Sequence, residues 1–168
     1  MDRAELQEKI DQWIETRLEV TRPELNGWSP CPYARASRLK QTYRVEAGQD
    51  IHSDLQSVAD TGMGDSEVVI FAYPPEQYTA EELFQTVDQA NQQYLLELDL
   101  IALDDHPEHK ETVNGVCFNQ GEFALALVQC LSDLNSRAKQ MAQKGFYQEW
   151  PEEYLQDVFR HREDPRTP

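Results

Sequence analysis

The densest run of chemically capable side chains is Asp104-Asp105-His106-Pro107-Glu108-His109-Lys110-Glu111. His106 and His109 stand three residues apart, and imidazole nitrogens suit a divalent transition metal such as zinc, iron, copper or nickel. Asp104 and Asp105 can complete such a site or orient the rings from behind. The spacing is neither HExxH nor HxxEH, and Pro107 breaks the helix on which those motifs lie. A solvated acidic loop with two surface histidines is the competing reading of the same residues.

Cys31 is the second candidate, in Ser29-Pro30-Cys31-Pro32-Tyr33-Ala34-Arg35. Two prolines stiffen the stretch, and Arg35 and Arg38 are cations able to lower a thiol pKa and make a nucleophile or a metal ligand. A thiolate also needs a base brought close by folding, and His106 is the candidate. The candidate catalytic pair is therefore Cys31 and His106, and the candidate metal ligands are His106 and His109. Arg35, Asp105 and Asn119 are the candidate binding residues. A buried structural cysteine that locks the loop onto a sheet accounts for Cys31 equally well. Cys117 and Cys130 sit among Val, Phe and Leu and read as small buried apolar residues.

These residues need elements to position them. Leu6, Ile10, Trp13, Ile14 and Leu18 recur at helical spacing and predict a first helix with one apolar face. Pro23, Gly27, Pro30 and Pro32 make the following connection irregular. Residues 38–45 predict a polar edge strand, and Ile51, Leu55, Val58 and Ala59 a short helix. Val68-Val69-Ile70-Phe71-Ala72 predicts a central strand, because it is continuously apolar and β-branched. Thr79 and Glu82 form a capping box that opens a helix reaching Leu95. Residues 98–103 predict a third strand and 116–118 a short fourth.

Phe123, Leu127, Leu131, Leu134, Ala138 and Met141 hold helical spacing, which predicts one helix over 122–143, closed by Lys144-Gly145. Pro151 opens a last helix, with Tyr154, Leu155, Val158 and Phe159 on one face. The rings from Phe146 to Phe159 fit either core packing or a partner-docking surface. The alternation predicts an α/β fold, or an α+β ferredoxin-like variant with antiparallel pairing. A three- to four-stranded sheet is covered by about five helices, with one domain over 1–161 and a frayed tail over 162–168.

Composition narrows the function classes. The chain has 168 residues, and 15 Lys+Arg against 31 Asp+Glu leave a net charge of −16. That balance points away from nucleic-acid phosphates and from anionic membranes, and towards a basic protein partner or a plain solvated surface. No apolar run approaches the roughly 20 residues of a membrane helix, and the acidic N-terminus lacks the layout of a signal peptide, so a cytoplasmic protein is expected. Three cysteines without a CxxC pair exclude a disulfide scaffold and a zinc finger. Gly62-Met63-Gly64 lacks the third glycine of a dinucleotide fingerprint, and neither a P-loop nor GxSxG is present.

Trp13, Cys31-Pro32-Tyr33-Ala34, the strand ending at Tyr73-Pro74 and the strand leading to His106-Pro107 together resemble, in order, a bacterial domain family of unknown function. Its members carry a CPFA-like segment, a strand ending in histidine-proline, a second ending in FHPxY, and an Asn-Arg-Ser-Pro stretch before a final helix. Cys31, Pro32, Ala34, His106 and Pro107 match over residues 10–130, with Asn119 at the place of the family's asparagine. Tyr73 replaces the first histidine, His109 the tyrosine, and Asn119-Gln120-Gly121-Glu122 the last stretch. The resemblance implies the order of elements and names no reaction.

Two functions are therefore expected. The first is a small acidic binding or regulatory protein that docks on a basic partner surface. The alternative is a thiol- or metal-dependent enzyme using Cys31, His106 and His109, with a divalent transition metal as its cofactor.

Overall fold

The computed structural model describes residues 1–167. Helix α1, Arg3–Trp13, is capped by the Asp2 carboxylate, which accepts from the Glu5 amide at 2.8 Å, and continues through a π-helical turn at Ile14–Leu18. An irregular stretch follows, with a 3₁₀ turn at Pro23–Leu25, and leads into the short helix α2, Ala34–Lys40. Strand β1 is Tyr43–Ala47, α3 Ile51–Thr61 and β2 Val68–Tyr73. Helix α4, Ala80–Ala90, opens on the Thr79–Glu82 capping box and runs through a π-helical turn to β3, Leu100–Asp105. A small hairpin of β4, Thr112–Val113, and β5, Val116–Cys117, precedes β6, Ala124–Cys130. Helices α5, Leu131–Gln143, and α6, Glu152–Val158, close the chain.

The architecture is α+β. Four strands pair in the order β1-β2-β6-β3, with β1 parallel to β2 and β6 antiparallel to both of its neighbours. Because the side chains of a strand alternate between faces, the two central strands, β2 and β6, supply two cores. Val69, Phe71 and Tyr73 of β2, with Ala124, Ala126 and Val128 of β6, pack under α3 and α4. Ile70 and Ala72, with Tyr43, Val45 and Leu125, pack under α1. Backbone also approaches closely here: a Cβ on Gly48 would lie 2.1 Å from the Tyr73 ring.

Two expected elements are corrected. Residues 38–45 are not one strand, because α2 continues to Lys40 and ends at Gln41, which adopts left-handed geometry (φ 54°), before β1 begins. The helix expected over 122–143 is a strand followed by a helix. Both faces of β6 are covered, so Ala124, Leu125, Ala126 and Val128 are all buried, and the run loses the polar alternation that marks a half-exposed strand. The single helical register from Phe123 into α5 is a coincidence of two apolar patterns.

β3 is an edge strand. The Asn91 side chain occupies part of that edge by accepting from the Ala102 amide at 2.8 Å and donating to its carbonyl at 2.9 Å. The C-terminal segment is fastened to α4 through Arg160 and His161, both on Asp88, at 2.9 and 2.7 Å. Behind it Phe146, Tyr147, Leu155 and Phe159 are buried with Trp28 and Trp150 packed against them, so these rings close a core of their own.

Candidate functional site

Between β3 and this C-terminal segment lies a cleft of about 360 Å³. Its floor is Leu103, Asp104 and Asp105 at the C-terminal end of β3, with Leu127 of β6. Trp13 and Leu18 at the end of α1, Cys31 in the proline-rich loop, and Phe118 form one wall. Trp150, Tyr154, Asp157 and Arg162 form the other, and His109, Lys110 and Glu111 enter from the loop beyond β3.

Asn119 shapes that loop. Its side-chain amide donates to Asp105 Oδ1 at 2.6 Å, to the His106 carbonyl at 3.2 Å and to the His109 carbonyl at 3.0 Å, while its Oδ1 accepts from the Glu111 amide at 2.7 Å. Asp105 Oδ2 accepts from the Gln120 amide at 2.8 Å. α1 holds the same segment from outside: Trp13 Nε1 donates to the Phe118 carbonyl at 3.0 Å and Arg17 to the Asn119 carbonyl at 2.8 Å. Asn119 and Asp105 therefore set the course of the backbone.

His106 is spoken for. Its Nε2 lies 2.8 Å from the Tyr78 carbonyl and 3.1 Å from that of Pro75, both acceptors, so this nitrogen carries the proton. Nδ1 accepts from the Glu108 amide at 3.1 Å. The ring is buried with no free lone pair, and it ties the loop after β2 to the end of β3. The expected metal pair is corrected on this ground. His109 is exposed at the cleft rim, and among the described residues no group of three or more His, Cys, Asp or Glu side chains is disposed to hold a metal ion.

Cys31 and His109 line the same cleft, while His106 does not. Burial pushes the Cys31 thiol up, against amides of Tyr33 and Ala34 that favour the thiolate. Arg38 is held by Glu19 at 2.7 Å, and Arg35 is exposed on α2 away from the cleft. The expectation of cations lowering the thiol pKa is thus corrected, and Cys31 with His106 is not an assembled catalytic pair.

The carboxyl groups carry the electrostatics. Burial raises Asp104 and Asp105 above the usual carboxylate range, the latter against its hydrogen bonds from Gln120 and Asn119. Glu111 is pushed up to about 7, first by burial and then by the charges of Asp105 and Asp104. Its Oε2 accepts from the Tyr154 hydroxyl at 3.2 Å. Asp157 adds a fourth carboxylate at the rim. Among the described residues none of the four makes an ion pair. Arg162 is not their counter-ion: it donates to the Val158 carbonyl at 3.2 Å, lies over the Phe159 ring, and burial lowers its pKa.

Glu111 belongs to the acidic run that begins at Asp104, but Tyr154 and Asp157 carry no local signal, because they reach the cleft only through the packing of α6. Asp104, His109, Glu111 and Asp157 also line an outer hollow of about 310 Å³ with Glu81 and Phe84 of α4, so the acidic group is approached from two sides. Among the described residues no helix is long and apolar enough to cross a membrane. The chain matches no protein-family model, no curated protein and no solved structure, which leaves this geometry as the basis for function.

Proposed function

We propose that this chain is a binding protein whose cleft takes a protonated amine, offered either by a small molecule or by a lysine side chain of a basic partner. The observation that carries the reading is a group of carboxyls, Asp104, Asp105 and Glu111, inside a cleft and without an ion pair. Carboxylates raised by burial and mutual repulsion are relieved by a cation, whereas an anion would add to their repulsion. Trp13, Phe118, Trp150 and Tyr154 supply aromatic surface, which attracts an ammonium through the ring quadrupole. The overall charge of −16 draws cations towards the molecule before contact. Thiol chemistry at Cys31 has less behind it, since burial favours the protonated thiol.

Titration calorimetry with n-butylamine and with a lysine-containing peptide tests the reading at pH 6, 7 and 8. Binding is expected to tighten as pH rises through about 7, with protons released as Glu111 ionises against the cation. Glu111→Gln should weaken binding and abolish the proton release. Response to butylamine assigns the cleft to a small ligand, and response to the peptide alone assigns it to a protein partner. Absence of binding to both, or binding indifferent to pH and to Glu111, overturns the proposal.

A further inference from the structure

The cleft does not stand alone. A second hollow of about 120 Å³ lies on the α1 side of the sheet and shares Trp13, Leu18, Cys31 and Leu127 with it. Its own lining is mostly apolar: Ile14, Tyr43, Val68 and Ile70, with Ala34 of α2. The Cys31 amide donates to the Leu18 carbonyl at 3.0 Å, which fixes two of the shared residues against each other. Ser37, Gln129 and Arg137 are among its polar groups, with Tyr33 beside them. Arg137 stands in its wall over the Tyr33 ring, with its charge paired to Glu67 at 2.9 Å.

Chemistry therefore changes from one hollow to the other. Asp104, Glu111 and Asp157 line the cleft, an indole and a thiol are shared, and aliphatic side chains of the sheet line the second hollow. We infer that the ligand is an amphiphilic amine: an ammonium head beside Glu111 and a short hydrocarbon tail passing Cys31 into the hollow over Leu127 and Ile70. This inference rests on the amine reading given above. A volume of about 120 Å³ suits a short alkyl or aryl group and excludes a protein segment. Burial of the tail against Val68, Ile70 and Leu127 removes apolar surface from water, so each added methylene strengthens binding until the hollow is full.

The test is an affinity series of linear alkylamines from ethylamine to octylamine, with linear alcohols of the same lengths as uncharged controls. Ser37→Phe and Gln129→Phe each fill the hollow and leave the acidic end untouched, and a melting curve checks that each folds. For the parent, affinity is expected to rise about three- to fourfold per methylene and then level off. In the filled variants ethylamine should bind as before while the gain with length disappears. A flat amine series with ethylamine binding retained overturns the tail and leaves the amine reading standing. Length-dependent alcohol binding without any amine binding overturns the amphiphilic ligand through its head. A gain with length that survives in both variants places the tail elsewhere and also overturns it.

Discussion

Tyr154, on the last helix, donates its hydroxyl proton to Glu111 Oε2 at 3.2 Å and so joins the cleft wall to the loop beyond β3. The bond favours the carboxylate, yet burial and the neighbouring Asp105 and Asp104 outweigh it and hold Glu111 at about 7. Burial, and after it the charge and contact of Glu111, raise the Tyr154 hydroxyl, which stays a donor at any physiological pH.

Stability should fall as pH rises from about 4.5 to about 7. Glu111 in the folded chain keeps its proton to about 7, whereas its ordinary value is 4.5, so the unfolded chain ionises first and gains over that window. The full effect is on the order of 3 kcal/mol. Glu111→Gln keeps an acceptor for Tyr154 and removes the titration. Urea denaturation should show parent and variant alike at pH 4.5 and the variant more stable at pH 8. A difference that does not grow with pH would contradict the raised carboxyl.

Asn119→Ala should destabilise by about 3 kcal/mol, because it strands the His106 carbonyl and one oxygen of buried Asp105. Asn119→Asp should be worse at neutral pH, where a second carboxylate would face Asp105, and should recover on acidification. Denaturation midpoints at two pH values report both effects. An Asn119→Asp variant as stable as the parent at neutral pH would mean the hub does not bear on this loop.

His106→Ala should cost about 2–3 kcal/mol through the unpaired carbonyls of Pro75 and Tyr78, with His106→Gln recovering part of the loss. Amide exchange at Glu108 should accelerate in His106→Ala, since Nδ1 no longer accepts from it. If zinc raised the melting temperature of the parent and not of His106→Ala, a ligand role would replace the structural one.

Iodoacetamide should label Cys31 more slowly in the folded protein than in urea, with the rate climbing as pH is raised past the ordinary thiol range. Peptide mapping by mass spectrometry across a pH series measures it. Labelling at Cys31 as fast as in urea at pH 7 would reveal a thiolate.

How far the sequence reveals this molecule depends on how local each feature is. β2 and the Thr79–Glu82 cap are legible because an apolar β-branched run and a three-residue capping pattern carry their own signature. β6 is not, since its two faces are covered by α1 on one side and α3 and α4 on the other, its pairing partners in β2 and β3 lie 20 or more residues away, and burial on both faces erases the alternation that would mark it. The acidic run after β3 could be picked out as a place for chemistry, and Cys31 with His109 does reach one cleft. What His106 does could not be read there, because its partners are backbone carbonyls of the loop after β2. Tyr154 and Asp157 are equally silent, as they depend on the docking of α6 along an edge strand.

The placement of β6 between β2 and β3 also dictates how the chain can assemble. Until Ala124–Cys130 has emerged from the ribosome, β3 has no partner strand and the parallel pair β1-β2 has one open side. Such distant pairings make for slow folding, since a long loop must close before any contact compensates for it. A nascent chain stopped short of residue 124 would therefore expose two separate apolar edges, and the risk of aggregation is concentrated in the interval before the seventh residue of that strand is in place.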